Sequence, residues 1–345
     1  MSERAIRVAV VGTGEFGRNH VRVWRELEGA ELVGVVDANP DRAQKIAAEF
    51  GVRVLPGIES LATEKVDAVS LAVPTKEHAA IGCRLLESGH DVLVEKPIAS
   101  SLEEADQLIA SARHGLRLLQ VGHVERFNAA VVAVRDIVSR PLFFEVHRMG
   151  IFTPRSLDID VVYDVMIHDL DILLSLVQSE VDDIKAVGIP VVTDKVDIAH
   201  ARLEFANGTV ANLTASRVST ERVRKLRFFQ EHEYVSLDFT RQDVLRVRVQ
   251  SGSAPTATAS PNSDGAAAAA APFPGVNFEK VATSPEEPLR AELRSFLDCV
   301  RTRKSPLVDG QAGRRALALA DRVMSGILDH ARRVQLTAFS PQEAR

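Results

Sequence analysis

The chain has 345 residues, with 42 Lys and Arg against 47 Asp and Glu, a net charge of −5, and 46% hydrophobic residues. That length is ordinary for two domains and the composition is that of a globular chain, while the lack of a concentrated basic run argues against a nucleic-acid partner. Cys83 and Cys299 are too few for a disulfide framework or a paired zinc motif, and no run reaches the ~18 apolar residues of a membrane span.

The apolar run Ile6–Val11 predicts a buried strand, Gly12-Thr13-Gly14-Glu15-Phe16-Gly17 its turn, and Arg18–Leu27 the helix that follows. Such a turn binds a nucleotide. Gly12 makes the tight bend, Gly14 lets the backbone approach a pyrophosphate, and Gly17 lets helix and strand pack closely. The helix N-terminus then faces the phosphates. Because the first strand starts at Ile6, no room is left for a leader peptide, and a cytoplasmic location without membrane attachment is expected. Asp37 closes the second run, Glu31–Val36, where a carboxylate accepts hydrogen bonds from the adenosine ribose and repels a 2′-phosphate. NAD is therefore the expected cofactor, with NADP the alternative because Arg42 is near.

Strands at Ala68–Val73, Asp91–Val94 and Leu116–Val121 alternate with helices at Asp41–Phe50, Glu77–Ser88 and Ser101–His114. This rhythm predicts an α/β, doubly wound parallel sheet of Rossmann type over residues 1–124. Gly51, Gly89 and Gly115 stand just past helices, where left-handed caps are usual. At the carboxyl edge of the third strand, Pro74, Thr75 and His78 are candidate cofactor contacts, with Thr75 also a candidate helix cap. A plain strand-to-helix connection with a solvated Lys76 is the competing reading. Glu95-Lys96-Pro97 ends the next strand at the same edge, and Pro97 biases Lys96 to an extended backbone. Glu95 and Lys96 thus join the cofactor candidates, with a strand-end lysine that is simply a solvated charge as the competing reading.

From residue 125 to 345 the pattern becomes that of an α+β domain on an open, mostly antiparallel sheet. Helix Asn128–Ser139, strand Leu142–Met149 and helix Asp160–Gln178 come first. A meander follows: Asp182–Gly188, Ala199–Phe205, Thr209–Ser216, Arg222–Gln230, Glu233–Asp238 and Val244–Val249, with Asn207-Gly208 a hairpin signal. Residues 251–275, rich in Ala, Pro and Ser, read as a mobile insertion, and helices at Pro288–Thr302 and Gly310–Ala331 close the chain.

Asp164, His168 and Asp171 fall at i, i+4 and i+7 and so share one helix face. Asp164 is suited to orient the His168 imidazole, leaving its other nitrogen to take a proton. A metal site from the same residues is the alternative, though none is required where a nicotinamide accepts the hydride. His123 and Arg126, in the Gly122–Asn128 junction, are substrate-contact candidates or hinge residues. Arg217 is another candidate, for a substrate phosphate or simply as cover for a sheet.

The order of the glycine turn, Asp37, Pro74 with His78, Glu95-Lys96-Pro97 and Asp164-x-x-x-His168-x-x-Asp171 resembles the Gfo/Idh/MocA oxidoreductases across nearly the whole chain. The resemblance implies a Rossmann domain joined to an open-faced α/β domain, and NAD-dependent oxidation of a sugar or cyclitol alcohol. It also implies that Lys96 binds the reacting oxygen, that His168 is the acid/base and that Asp164 supports both histidine and substrate. A homodimer or homotetramer through the second sheet is implied too. Gly122–Asn128 and Asp164–Asp171 look most like the subgroup that oxidises C3 of UDP-N-acetylglucosamine, whose 3-keto product a PLP aminotransferase converts to a 3-amino sugar for lipid A. Rival readings are a dehydrogenase of a free sugar or inositol, a non-catalytic NAD and sugar sensor, and a metal-dependent hydrolase.

Overall fold

The computed structural model describes residues 4–153, 159–249 and 275–336. The chain folds as two compact units, neither of which is continuous in sequence. The first takes the chain to Asn128, then Leu170–Leu174 and Glu286–Arg322; the second takes Ala129–Asp169, Ser175–Pro285 and the chain from Val323. The expected division into 1–124 and 125–345 placed Glu286–Arg322 with the second half. The structure returns that segment to the first.

The first unit alternates strand and helix: β1 (Ile6–Val11), α1 (Glu15–Glu26), β2 (Ala30–Val36), α2 (Pro40–Phe50), β3 (Ala68–Leu71), α3 (His78–Glu87), β4 (Asp91–Glu95), α4 (Leu102–His114) and β5 (Leu119–Gly122). The strands pair in parallel in the order β2-β1-β3-β4-β5. Strand β1 thus has β2 on one side and β3 on the other, and the crevice at that switch point opens at the carboxyl ends. The strands are almost wholly buried, as helices on both faces require. Local sequence explains the helix ends. The Asn39 side chain accepts from Arg42 N ahead of Pro40, and Ser101 Oγ accepts from Glu104 N while Glu104 accepts from Ser100 N. Gly51 and Gly89 take positive φ, but Gly115 stays at −74° and Leu116 bends instead. Thr75 caps no helix. It begins a short 3₁₀ turn, Thr75–Glu77, before α3.

In the second unit, α5 (Ala129–Val134) and β6 (Phe143–Met149) are followed by a single π turn, Val162–Met166, that leads into α6 (Ile167–Leu176). Then come β7 (Val181–Ile189), β8 (Ile198–Phe205), β9 (Val210–Ser216), β10 (Val223–Gln230), β11 (Glu233–Asp238), β12 (Asp243–Val249) and β13 (Val276–Val281). Helix α5 is shorter than expected, because the β-branched Val131, Val132 and Val134 are poor helix formers. The order β13-β12-β11-β10-β6-β9-β8-β7 is antiparallel except where β6 lies parallel to β9. The expected meander is thus split by β6, a long-range insertion that local pattern cannot announce. Strand β13 was not anticipated beside the Ala/Pro-rich stretch, and residues 251–274 of that stretch lie outside the described residues. Burial alternates along β6, β8 and β9, so one face is core and the other part-exposed. The Asn207-Gly208 hairpin forms as expected, with Gly208 at φ +88° and its N–H donating to Phe205 O at 2.8 Å. Helices α7 (Pro288–Thr302) and α8 (Gly310–Arg333) are the last elements among the described residues.

Candidate active site

The glycine turn follows β1. A Cβ on Gly12 would stand 2.5 Å from Ala72 O, and one on Gly17 1.8 Å from Gly12 O, so both are held to glycine by backbone crowding. Gly14 differs. A Cβ there would meet nothing within 4 Å, and Gly14 stands at the N-cap of α1 with no side-chain cap, an open cradle that fits a pyrophosphate. Glu15 and the half-exposed Phe16 form the first turn of α1. Asp37, half-buried just past β2, accepts from Thr13 N and Thr13 Oγ1, both at 2.7 Å, and from Asn39 N at 2.8 Å. Burial pushes its carboxyl up, but these bonds and the Arg42 guanidinium 3.8 Å away outweigh that and hold it below the usual range. A carboxylate has about four acceptor positions and three are filled here, so room remains for a ribose hydroxyl. Thr13, Gly14 and Asp37 therefore fit a dinucleotide with an unphosphorylated ribose.

At the same edge, Pro74 is exposed and Thr75 half-buried. His78 is buried, with Nδ1 2.9 Å from Pro97 O and Nε2 3.0 Å from Val73 O. Burial lowers its pKa, so the ring is neutral and only one of these contacts is an N–H···O bond. Its ring ties the end of β3 to the Glu95-Lys96-Pro97 turn; a contribution to cofactor binding would act through those turns.

Glu95 ends β4. Its Oε1 lies 2.9 Å from His20 Nε2 on α1, its Oε2 accepts from Lys96 N at 3.3 Å, and its carboxyl presses on Gly122, where a Cβ would be 3.0 Å away. Burial raises its pKa, yet the His20 bond and the His20 and Lys96 charges bring it below the usual carboxylate value. Glu95 is thus an internal brace for the turn that carries Lys96. After β5, the 3₁₀ turn Val124–Phe127 brings Arg126 Nη1 within 3.3 Å of Asp171 Oδ1, both buried. His123 is buried as well, and burial lowers its pKa against the pull of Asp171.

In the second unit the π turn carries Asp164 and the first turn of α6 carries His168, both half-buried. The extra residue of the π turn shifts the phase expected of a regular helix over Asp160–Gln178. Asp169 forms a buried bidentate pair with Arg148, at 2.7 and 2.8 Å. Arg217 is turned inward: Nε is 3.6 Å from Asp197 Oδ1 and its Nη2 donates to the Ile159 and Val196 carbonyls. Those bonds lie within its own unit and leave the residue 8% exposed, which accords with the reading of Arg217 as cover for a sheet more than as a substrate contact. Among the described residues no three His, Cys, Asp or Glu side chains gather as a metal-binding group, and no helix is long and apolar enough to cross a membrane.

Sequence reasoning missed His20 and Glu292. Glu292 alone left a signal, an acid on the apolar stripe of α7 beside Leu289, Leu293 and Phe296.

Comparison with known proteins agrees with this architecture. Residues 6–123 match the Gfo/Idh/MocA oxidoreductase family, NAD-binding Rossmann fold, and residues 126–235 its C-terminal domain. The UDP-N-acetylglucosamine 3-dehydrogenase of Acidithiobacillus ferrooxidans is 38% identical over 319 residues, 92% of this chain and 96% of that protein. A solved structure of the enzyme of that name and organism superposes with a TM-score of 0.84 at 37% identity, covering 94% of this chain and 98% of that one. Inositol 2-dehydrogenase 3 of Saccharopolyspora erythraea is 32% identical over 185 residues, 51% of this chain and 55% of that protein.

Proposed function

Because the chain belongs to the Gfo/Idh/MocA family of NAD-dependent oxidoreductases, we propose that its substrate is a sugar nucleotide and that the alcohol oxidised is C3 of UDP-N-acetylglucosamine. NAD, when bound to the glycine turn and Asp37, supplies the hydride acceptor. Lys96 holds the reacting oxygen and stabilises negative charge that develops on it. His168 takes the hydroxyl proton, with Asp164 orienting the ring. His123 and Arg126 contribute to the substrate side.

The observation that carries this reading is the brace behind Lys96. A lysine that were only a solvated surface charge would not need its strand end fixed by a part-buried Glu95–His20 pair 2.9 Å apart, at the edge where the glycine turn also opens. The extent of the likeness to the UDP-N-acetylglucosamine enzyme supports the sugar nucleotide over a free inositol, since the inositol enzyme matches about half the chain. The product would be a 3-keto sugar nucleotide, suited to a PLP aminotransferase acting next in building a 3-amino sugar of lipid A type. A cytoplasmic location suits such a substrate. The part-exposed face of the eight-stranded sheet, where Phe143, Phe229 and Tyr234 stack, is offered for homodimer or homotetramer assembly.

The test is a panel of UDP-sugars, free sugars and inositols with purified protein and NAD, followed by NADH absorbance and coupled to a PLP aminotransferase to draw off the ketone. Turnover on UDP-N-acetylglucosamine with the ketone at C3 is expected. Turnover confined to inositols or free sugars would reject the substrate; binding of NAD and sugar without turnover on any member would make the chain a sensor.

A further inference from the structure

Helix α7 carries an acid where its neighbours are core. Leu293, Phe296, Leu297 and Val300 pack with Val21, Trp24 and the strands of the first unit, and Glu292 on the same stripe has no exposed surface. Among the described residues, neither Glu292 oxygen has a hydrogen-bond partner. Glu292 is nonetheless close to charge. Glu95 and Asp171 are the groups that act on it, and both are negative.

We propose that Glu292 is a neutral carboxylic acid in the working protein and a positioning residue for Glu95, whose ionisation would set a further negative charge against the brace behind Lys96. A buried carboxylate without donor or cation against it is driven to bind a proton. Burial, then the Glu95 and Asp171 charges, raise its pKa well above the ordinary value. Helix α7 packs against α1, β1 and the junction turn, which bring His20 from α1 and His123, Glu125 and Arg126 from the turn, while Glu95 at the end of β4 and Asp171 on α6 act on Glu292 through their charges. In this set the cations already have anions: Lys96 acts on Glu95, and Arg126 bonds Asp171. A further negative charge on Glu292 would compete for them and loosen the contact between Glu95 and the backbone of Lys96.

The direction of the pH effect follows. A carboxyl whose pKa is raised on folding gives stability that is complete below its unfolded value and is lost as pH rises through its folded value. The glutamine variant Glu292→Gln keeps the shape and cannot ionise.

The effect on Lys96 rests on the catalytic role proposed above; the protonation state does not. Infrared spectra of wild type minus Glu292→Gln should show a carboxylic-acid C=O band at neutral pH, and its absence would overturn the proposal. Thermal unfolding from neutral into alkaline pH should show wild type losing stability relative to Glu292→Gln, and parallel curves would equally overturn it. The alkaline fall in turnover should move to higher pH in the variant; coincident limbs would break the link to Glu95. If Glu292→Gln does not fold, isotope-labelled glutamate in wild type gives the same band, which must fade as pH rises. A protein without turnover on any sugar would sink the catalytic reading while the infrared and stability results stand.

Discussion

Gly12 and Gly14 stand two residues apart in one turn, yet alanine at each should fail in opposite ways. At Gly12 a Cβ would lie 2.5 Å from Ala72 O, 2.6 Å from Ala72 C and 2.8 Å from Val73 N, all backbone atoms that cannot rotate away. The residue also sits at φ +90°, where a side chain is strained. Left-handed strain costs about 1–2 kcal/mol and overpacking about 1–3 kcal/mol, so Gly12→Ala should lose roughly 2–5 kcal/mol of folding stability. At about 2–4 °C per kcal/mol for a unit of this size, the melting temperature should drop by roughly 4–20 °C. Gly14 has φ −63° and open space for a Cβ, so Gly14→Ala should cost folding only about 0.5 kcal/mol. That open space is where the pyrophosphate is expected, and NAD affinity should fall about tenfold or more, some 1.4 kcal/mol. Thermal unfolding without cofactor and calorimetric titration with NAD separate the two effects. A Gly12→Ala protein as stable as wild type, or a Gly14→Ala protein that binds NAD as tightly, would refute the reasoning at that position.

Two further substitutions test the frame around the site. Asp37→Asn removes a charge that accepts three hydrogen bonds and should cost about 1.5–3 kcal/mol at neutral pH, while weakening the preference for NAD over NADP. Because the Asp37 pKa is lowered on folding, its contribution is present above the unfolded value of about 3.9 and is lost as pH falls through the folded one, so the variant's penalty should shrink in acid, read by unfolding at stepped pH. Asp169→Asn leaves the buried Arg148 guanidinium without its paired charge and should cost about 3–5 kcal/mol, read as a lower urea midpoint; a midpoint within error of wild type would mean the pair is dispensable.

The Rossmann half was legible in sequence because each signal was local. An apolar run, glycines that only a tight backbone explains, and an acid at the end of the next strand all lie within one β-α-β unit, and β1, α7 and the Asn207-Gly208 hairpin came out where the pattern put them. Long-range features were not legible. Nothing near Phe143 says that β6 inserts between β10 and β9, and nothing near Glu286 says that α7 packs against the Rossmann sheet. The Glu95 brace escaped notice for the same reason. His20 and Glu95 are 75 residues apart, and their pairing exists only once α1 lies beside β4. Arg217 stayed open between a substrate contact and cover for a sheet because an arginine beside small residues has no visible partner in sequence, whereas the fold supplies Asp197.

The central claim is that Lys96 and His168 serve the same hydroxyl, and a double-mutant cycle tests it most directly. With NAD and UDP-N-acetylglucosamine, Lys96→Met and His168→Ala should each lower kcat about 10²- to 10⁴-fold while NAD affinity holds. Groups acting as a unit are not additive, so the double variant should be little slower than the worse single one. Losses that multiply in full would mean that the two side chains work on separate steps, and near wild-type turnover in either single variant would mean that it has no part in the chemistry.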